Sequence, residues 1–158
     1  MSRRAIKPVS IGIALLALVL TGQAVACGDS LYRVGKGVAY RVYTAPLPGN
    51  VLVYGNSEGA TELAEALAQS GHNVRQVTNE VELGAEMRSG SYDVVIAHYR
   101  EHAAVEASAP DVKTTFLPVA VGKAEEREAS EHYDKVMLAD SDELKHFLKA
   151  IHRTLKRN

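Results

Sequence analysis

The sequence predicts an α/β fold: a doubly wound, five-stranded parallel sheet of order 2-1-3-4-5, carrying an N-terminal arm. Three observations predict it. From Val51 onward, short apolar runs alternate with longer segments of helical period. The first and third runs, "VLVY" and "DVVIA", are short and apolar, as in buried strands. Each pair of runs is separated by enough chain for one helix, and strand–helix–strand units of this kind wind into an open sheet for which 2-1-3-4-5 is a common order.

The first 26 residues stand outside this pattern. Arg3, Arg4 and Lys7 precede "VSIGIALLALVL", an apolar stretch of twelve residues. A membrane span needs about 20. "AVA" at Ala24–Ala26 then supplies small residues for cleavage, so residues 1–26 read as a secretory signal peptide. The expected location is exported: periplasmic, or tethered to the membrane through Cys27. Cleavage after Ala26 makes Cys27 the first residue of the processed chain. It is the only cysteine, so no internal disulfide can form. Two readings of it stand: a lipid-modified anchor, or a free or intermolecularly paired thiol. Ala24 occupies the position where a lipoprotein signal usually has leucine.

Residues 27–50 are rich in Gly and Pro and have no helical period, which reads as an arm and linker with one short strand near Val38–Tyr43. Residues 51–158 form the domain. "VLVY" is its first strand, and "ATELAEALAQSG" a helix with Leu63, Ala64, Leu67 and Ala68 on one face, closed by Gly71. "NVRQV" is the second strand. Asn79, with Glu82 three residues on, has the spacing of a capping box for a helix along Val81, Leu83 and Met87. "DVVIA" is the third strand and "AAVEAS" a short helix ended by Pro110. "TTFLPVAV" is the fourth strand, where Pro118 predicts an edge position or a bulge. "EEREASEHY" reads as a polar helix with a solvated face, and "KVML" as the fifth strand. Ser141 is the expected cap of a last helix whose apolar stripe is Leu144, Phe147, Leu148, Ile151 and Leu155.

Composition narrows the partners. The formal charge is −1, falling to −4 once the three basic leader residues are removed, which gives no reason to expect nucleic acid. The chain has no tryptophan and two phenylalanines, which argues against an aromatic binding platform.

Ligands of such sheets sit beyond the carboxyl ends of the strands. That edge comprises residues 55–61, 98–102, 122–126 and 138–141. "SGSYDVVIAH" and "HYDKVMLAD" resemble the third- and fifth-strand segments of bacterial receiver domains, and the likeness extends over Val51 to Leu155. A receiver implies an acidic pair holding magnesium, an acceptor aspartate, a hydroxyl and a lysine. At those positions this chain has Gly55 and Asn56, His98, Val121 or Gly122, and Leu138. The resemblance therefore implies a degenerate receiver without phosphotransfer. "CGDSLYRVGKGVAYR" resembles the start of a group of exported bacterial proteins in which such a domain follows, and it implies no activity.

Three other chemistries compete at the same edge. "VYGNSEGATE" resembles a flavodoxin phosphate loop, which would imply FMN; Gly59 and Thr61 match, but Glu58 stands where a hydroxyl would donate. "GNSEG" fits the G-x-S-x-G elbow of hydrolases, against the plainer reading of Ser57 as a helix cap. His98 and His102 are four residues apart, which on a helix would place both imidazoles on one side, beside Glu101 and with His132 as a further candidate ligand. The preferred reading is two ordinary histidines and no metal. The expected function is an exported, non-catalytic binding or interaction module without a cofactor. Asn56, Ser57, His98, Tyr99 and His102 form its polar face toward a protein or small-molecule partner. The alternative is a small periplasmic FMN or metal protein.

Overall fold

The computed structural model describes residues 45–108 and 113–157. The expected signal peptide, Cys27, the arm strand at residues 38–43 and the break at Pro110 lie outside the described residues. Five parallel strands pair in the order β2-β1-β3-β4-β5. They are β1 (Asn50–Tyr54), β2 (Asn73–Val77), β3 (Val94–His98), β4 (Thr115–Ala120) and β5 (Met137–Leu138). The helices are α1 (Glu58–Gln69), α2 (Glu80–Ser89), α3 (His102–Ser108, entered through a 3-10 turn at Tyr99–Glu101), α4 (Gly122–Ser130) and α5 (Leu144–Leu155). This is the predicted α/β, flavodoxin-like architecture.

Alternation along the strands divides the core in two. Val51, Val53, Val94, Ile96, Leu117 and Val119 pack with α1 and α5. Leu52, Tyr54, Val95 and Ala97 pack with Leu83, Met87 and Val105 of α2 and α3. Because both faces are covered, the central strands need no polar side, which is why they read as unbroken apolar runs.

Helix ends follow local chemistry. Ser57 caps α1 by accepting the Ala60 N–H at 3.1 Å. Gly71, at φ +100°, takes the left-handed conformation that ends the helix where a side chain would be strained. Asn79 accepts the Glu82 N–H, but the Glu82 carboxylate takes the Thr78 N–H rather than that of Asn79, so the expected capping box is offset by one residue. The stripe of α5 is as predicted: Phe147, Leu148 and Ile151 are buried, with Leu144 and Leu155 packed against them.

Four expectations are corrected. Pro118 lies on β4, between β3 and β5, and not on an edge strand. The ladder explains how it is tolerated. The Thr115 N–H donates to Asp93 O, so the alternate residue Pro118 directs its missing donor away from β3. On that side β5 is two residues long and begins pairing only at Val119. The fifth strand is accordingly shorter than "KVML". The last helix starts two residues later than expected, with Glu143 and not Ser141 at its N-cap. Asp142 turns back to accept the Leu138 N–H at 2.7 Å, which holds the chain off the helical path until Glu143. Finally, Ala68 and Val81 face solvent, Val81 at 82% exposure. Ala60 and Ala66 complete the buried side of α1. On α2, Val81 sits two residues from buried Leu83 and therefore on the far side of the helix.

Candidate functional site

The carboxyl ends of β1, β2 and β3 enclose a cleft of about 200 Å³ lined by Tyr54, Gly55, Asn56, Ser57, Thr78, His98 and Glu101. The β1–β3 junction is where the strand order reverses, so the loops leaving it diverge and leave a crevice. Gly55 forms its floor at φ +154°, and a Cβ there would meet the Ala60 methyl at 3.2 Å. The loop is fastened by Gln76, whose amide donates both to Gly55 O and to Thr61 Oγ1 at 3.0 Å.

Asn56, Ser57 and His98 thus come together as the sequence predicts. Tyr99 and His102 do not join them. The 3-10 turn after β3 rotates Tyr99 under α4, where it is buried and its hydroxyl donates to Glu128 at 3.3 Å. His102 stacks on the Tyr99 ring with centroids 5.1 Å apart, and its Nδ1 approaches Tyr99 O at 2.9 Å. His98 belongs to a strand, so His98 and His102 do not share a helix face as a metal pair would. Among the described residues no three His, Cys, Asp or Glu side chains gather in a metal-binding group. His132 lies elsewhere, beside a groove at the other end of β4.

Beside the cleft stands a pair that no motif in the sequence announces, although Glu125 falls within the predicted edge at residues 122–126. His98 Nε2 lies 3.2 Å from Glu125 Oε2, with both side chains largely buried, at 13% and 14% exposure. Nε2 has no aligned hydrogen-bond partner, so the contact is an electrostatic approach rather than a formed bond. Glu125 also accepts the Val121 N–H at 2.8 Å and the Arg100 Nε–H at 2.5 Å. Burial holds the His98 imidazole below its ordinary value, and the nearby Glu125 carboxylate only partly offsets this. Burial alone would raise the Glu125 carboxyl, but the Val121 N–H, Arg100 and His98 together keep it below its ordinary range. At neutral pH the arrangement is therefore a neutral imidazole beside a carboxylate. Glu125, read from sequence as part of a solvated face, instead faces β3 and the turn after it, while Glu128 is exposed as expected and accepts the Tyr99 hydroxyl. Glu101, within the predicted edge at residues 98–102, and Thr78, outside it, also line the cleft.

The competing chemistries can be set against this geometry. Ser57 has ordinary extended angles, φ −77° and ψ 155°, and its hydroxyl is committed to the helix cap. A nucleophile elbow instead holds its serine in a strained turn with the hydroxyl free. Glu58 opens α1 as an exposed carboxylate where a phosphate would have to sit. At the end of β5, Asp142 caps Leu138 where a receiver has its lysine. No family model matches the chain, and neither the curated proteins nor the solved structures contain one that is similar to it.

Proposed function

We propose that this is an exported, non-catalytic, receiver-like module whose carboxyl edge binds a protein or small-molecule partner without accepting a phosphoryl group. The observation that carries this reading is the His98–Glu125 pair. It stands at the third-strand end, where a receiver holds its acceptor aspartate, and Glu125 comes from the first turn of the helix after β4. That carboxylate is already held by the Val121 N–H and by Arg100, so it is not free to bind the dication that transfer needs.

The surroundings support the same conclusion. Transfer from a small donor needs a dication held by carboxylates and a cation to steady the transferred group. Glu101 is the one carboxylate lining the cleft among the described residues, with Gly55 and Asn56 at the positions of the acidic pair. Asn56 and His98 offer hydrogen bonds at the cleft, which suits recognition. Export is supported by the apolar leader and the Ala-Val-Ala site ahead of Cys27.

Magnesium titration followed by amide NMR tests the proposal. Millimolar magnesium should leave the Gly55–Ser57 and Glu101 signals in place; saturable shifts there would mean that a receiver's metal site survives. Absorbance and metal analysis of protein from the periplasm separate this reading from an FMN or metal protein, since bound flavin is yellow.

A further inference from the structure

A second groove lies away from that edge. It holds about 450 Å³ and opens beside the first half of β4, at the amino ends of the strands. It exists because β5 is two residues long: pairing with β4 begins at Val119, so Thr115–Leu117 have no strand beside them on that side. Phe116 of β4 supplies a half-buried apolar floor, while Leu117, on the other face of the strand, and Ala150 of α5 border the groove and are almost wholly buried. Phe116 is steadied by an edge-to-face contact with Tyr133, centroids 5.2 Å apart.

The rim is cationic. Lys135 comes from the segment before β5, and Arg153 and Arg157 from the end of α5. All three are exposed, and none forms an ion pair with a described residue. His132 adds a titratable donor, and Asp134 is the one acid among the lining residues. On a chain of formal charge −1, three cations without an ion pair to any described residue, over one apolar floor, are a local concentration against the overall sign. A cation near the end of a helix also complements its dipole. That accounts for Arg153, but not for Lys135 on another element, nor for the apolar floor between them.

We propose that this groove is a binding site for a small organic anion with a flat apolar body, such as an aromatic carboxylate. The apolar part would lie on Phe116. The anionic group would reach Arg153, Arg157 and Lys135, where guanidinium forks match a carboxylate. The volume falls within the ~300–1,000 Å³ usual for small-molecule sites. The site shares no residue with the His98 cleft, so it stands whether or not that cleft binds a partner.

The test is a matched pair of ligands, 2-naphthoate and its neutral counterpart 2-naphthamide, titrated into the purified chain and followed by amide NMR. Naphthoate should shift Thr115–Leu117 and residues 153–157 saturably. Naphthamide should bind roughly tenfold more weakly, the scale of one charge-assisted hydrogen bond. Arg153→Gln combined with Arg157→Gln should weaken naphthoate by at least about tenfold and leave naphthamide unchanged. Both arginines are exposed, so the variant should fold, and Arg88→Gln on α2 serves as the charge control. Equal binding of the two ligands, an unchanged affinity in the double variant, or shifts confined to residues 55–57 would overturn the assignment. So would a response to hexaglutamate without one to naphthoate, since the groove would then be a peptide surface.

Discussion

Replacing Glu125 by alanine should destabilise the protein by about 2 kcal/mol, and the reasoning is specific enough to fail. The carboxylate accepts the Val121 N–H at 2.8 Å, and no Val121 side-chain bond caps α4 in its place. A hydrogen bond to a charged group contributes about 1.5–3 kcal/mol. The Arg100 partner is 72% exposed, so that pair adds at most roughly 1 kcal/mol, and less in salt. Water can reach Val121, which is 38% exposed, and this keeps the total near the lower end of the range. For a domain of about 100 residues such a loss lowers the melting temperature by roughly 10 °C. Glu125→Gln keeps an acceptor for Val121 and should cost about half as much. Lys123→Ala, on the exposed side of the same helix, should stay within about 0.5 kcal/mol of the parent. Urea unfolding at neutral pH measures all three. In Glu125→Gln the His98 imidazole also loses the carboxylate that partly offsets its burial, so its NMR titration should move to lower pH. A Glu125→Ala variant as stable as Lys123→Ala, or a His98 titration that moved upward, would refute the account and return α4 to a solvated helix.

Acid should weaken the fold. His72 is buried, burial holds its pKa below the ordinary 6.5, and its Nδ1 lone pair accepts the Gly49 N–H. The unfolded chain therefore binds the proton more readily, and stability present above about pH 6.5 is lost as the pH falls through that value, with His98 acting in the same direction. A melting temperature as high at about pH 5.5 as at about pH 7.5 would contradict this. Phe147→Ala should cost about 3–5 kcal/mol, since the ring is 2% exposed in the α1–α5 core. A variant that melted with the parent would mean that α5 does not belong to the core. N-terminal mass mapping of chain exported from a bacterial host should begin at Cys27, with any lipid visible as added mass; an intact Met1 would defeat the signal-peptide reading.

The fold was legible wherever a pattern is local. "VLVY" and "DVVIA" differ from β1 and β3 by one residue, because an apolar run between turn residues reports burial directly, and "NVRQV", whose two valines flank polar residues, coincides with β2. The stripe from Leu144 to Leu155 was equally plain. Legibility failed where a distant partner decides the outcome. Pro118 signals an edge only until the ladder shows its missing donor facing a two-residue strand. Ser141 is a better cap by composition than Glu143, but Asp142 is drawn to Leu138 and delays the helix. At the site, Asn56, Ser57 and His98 could be found because strand ends mark the edge. Tyr99 and His102 left it through a 3-10 turn with no clear sequence signature. Glu125 was hidden for the opposite reason: in "KAEEREASEH" its neighbours are also charged, and only its approach to His98, 27 positions earlier in the chain, distinguishes it.

The central claim is that His98 and its surroundings do not accept a phosphoryl group. Losing aspartate is not sufficient by itself, because an imidazole can form a phosphoramidate. The claim rests on the carboxylate of Glu125 beside it, and on Glu101 standing without a second acid in the cleft. The most direct measurement is intact mass after incubation with acetyl phosphate and magnesium, under neutral conditions that preserve phosphoramidates. The account predicts an unchanged mass. A gain of one phosphoryl group, abolished by His98→Ala, would contradict it.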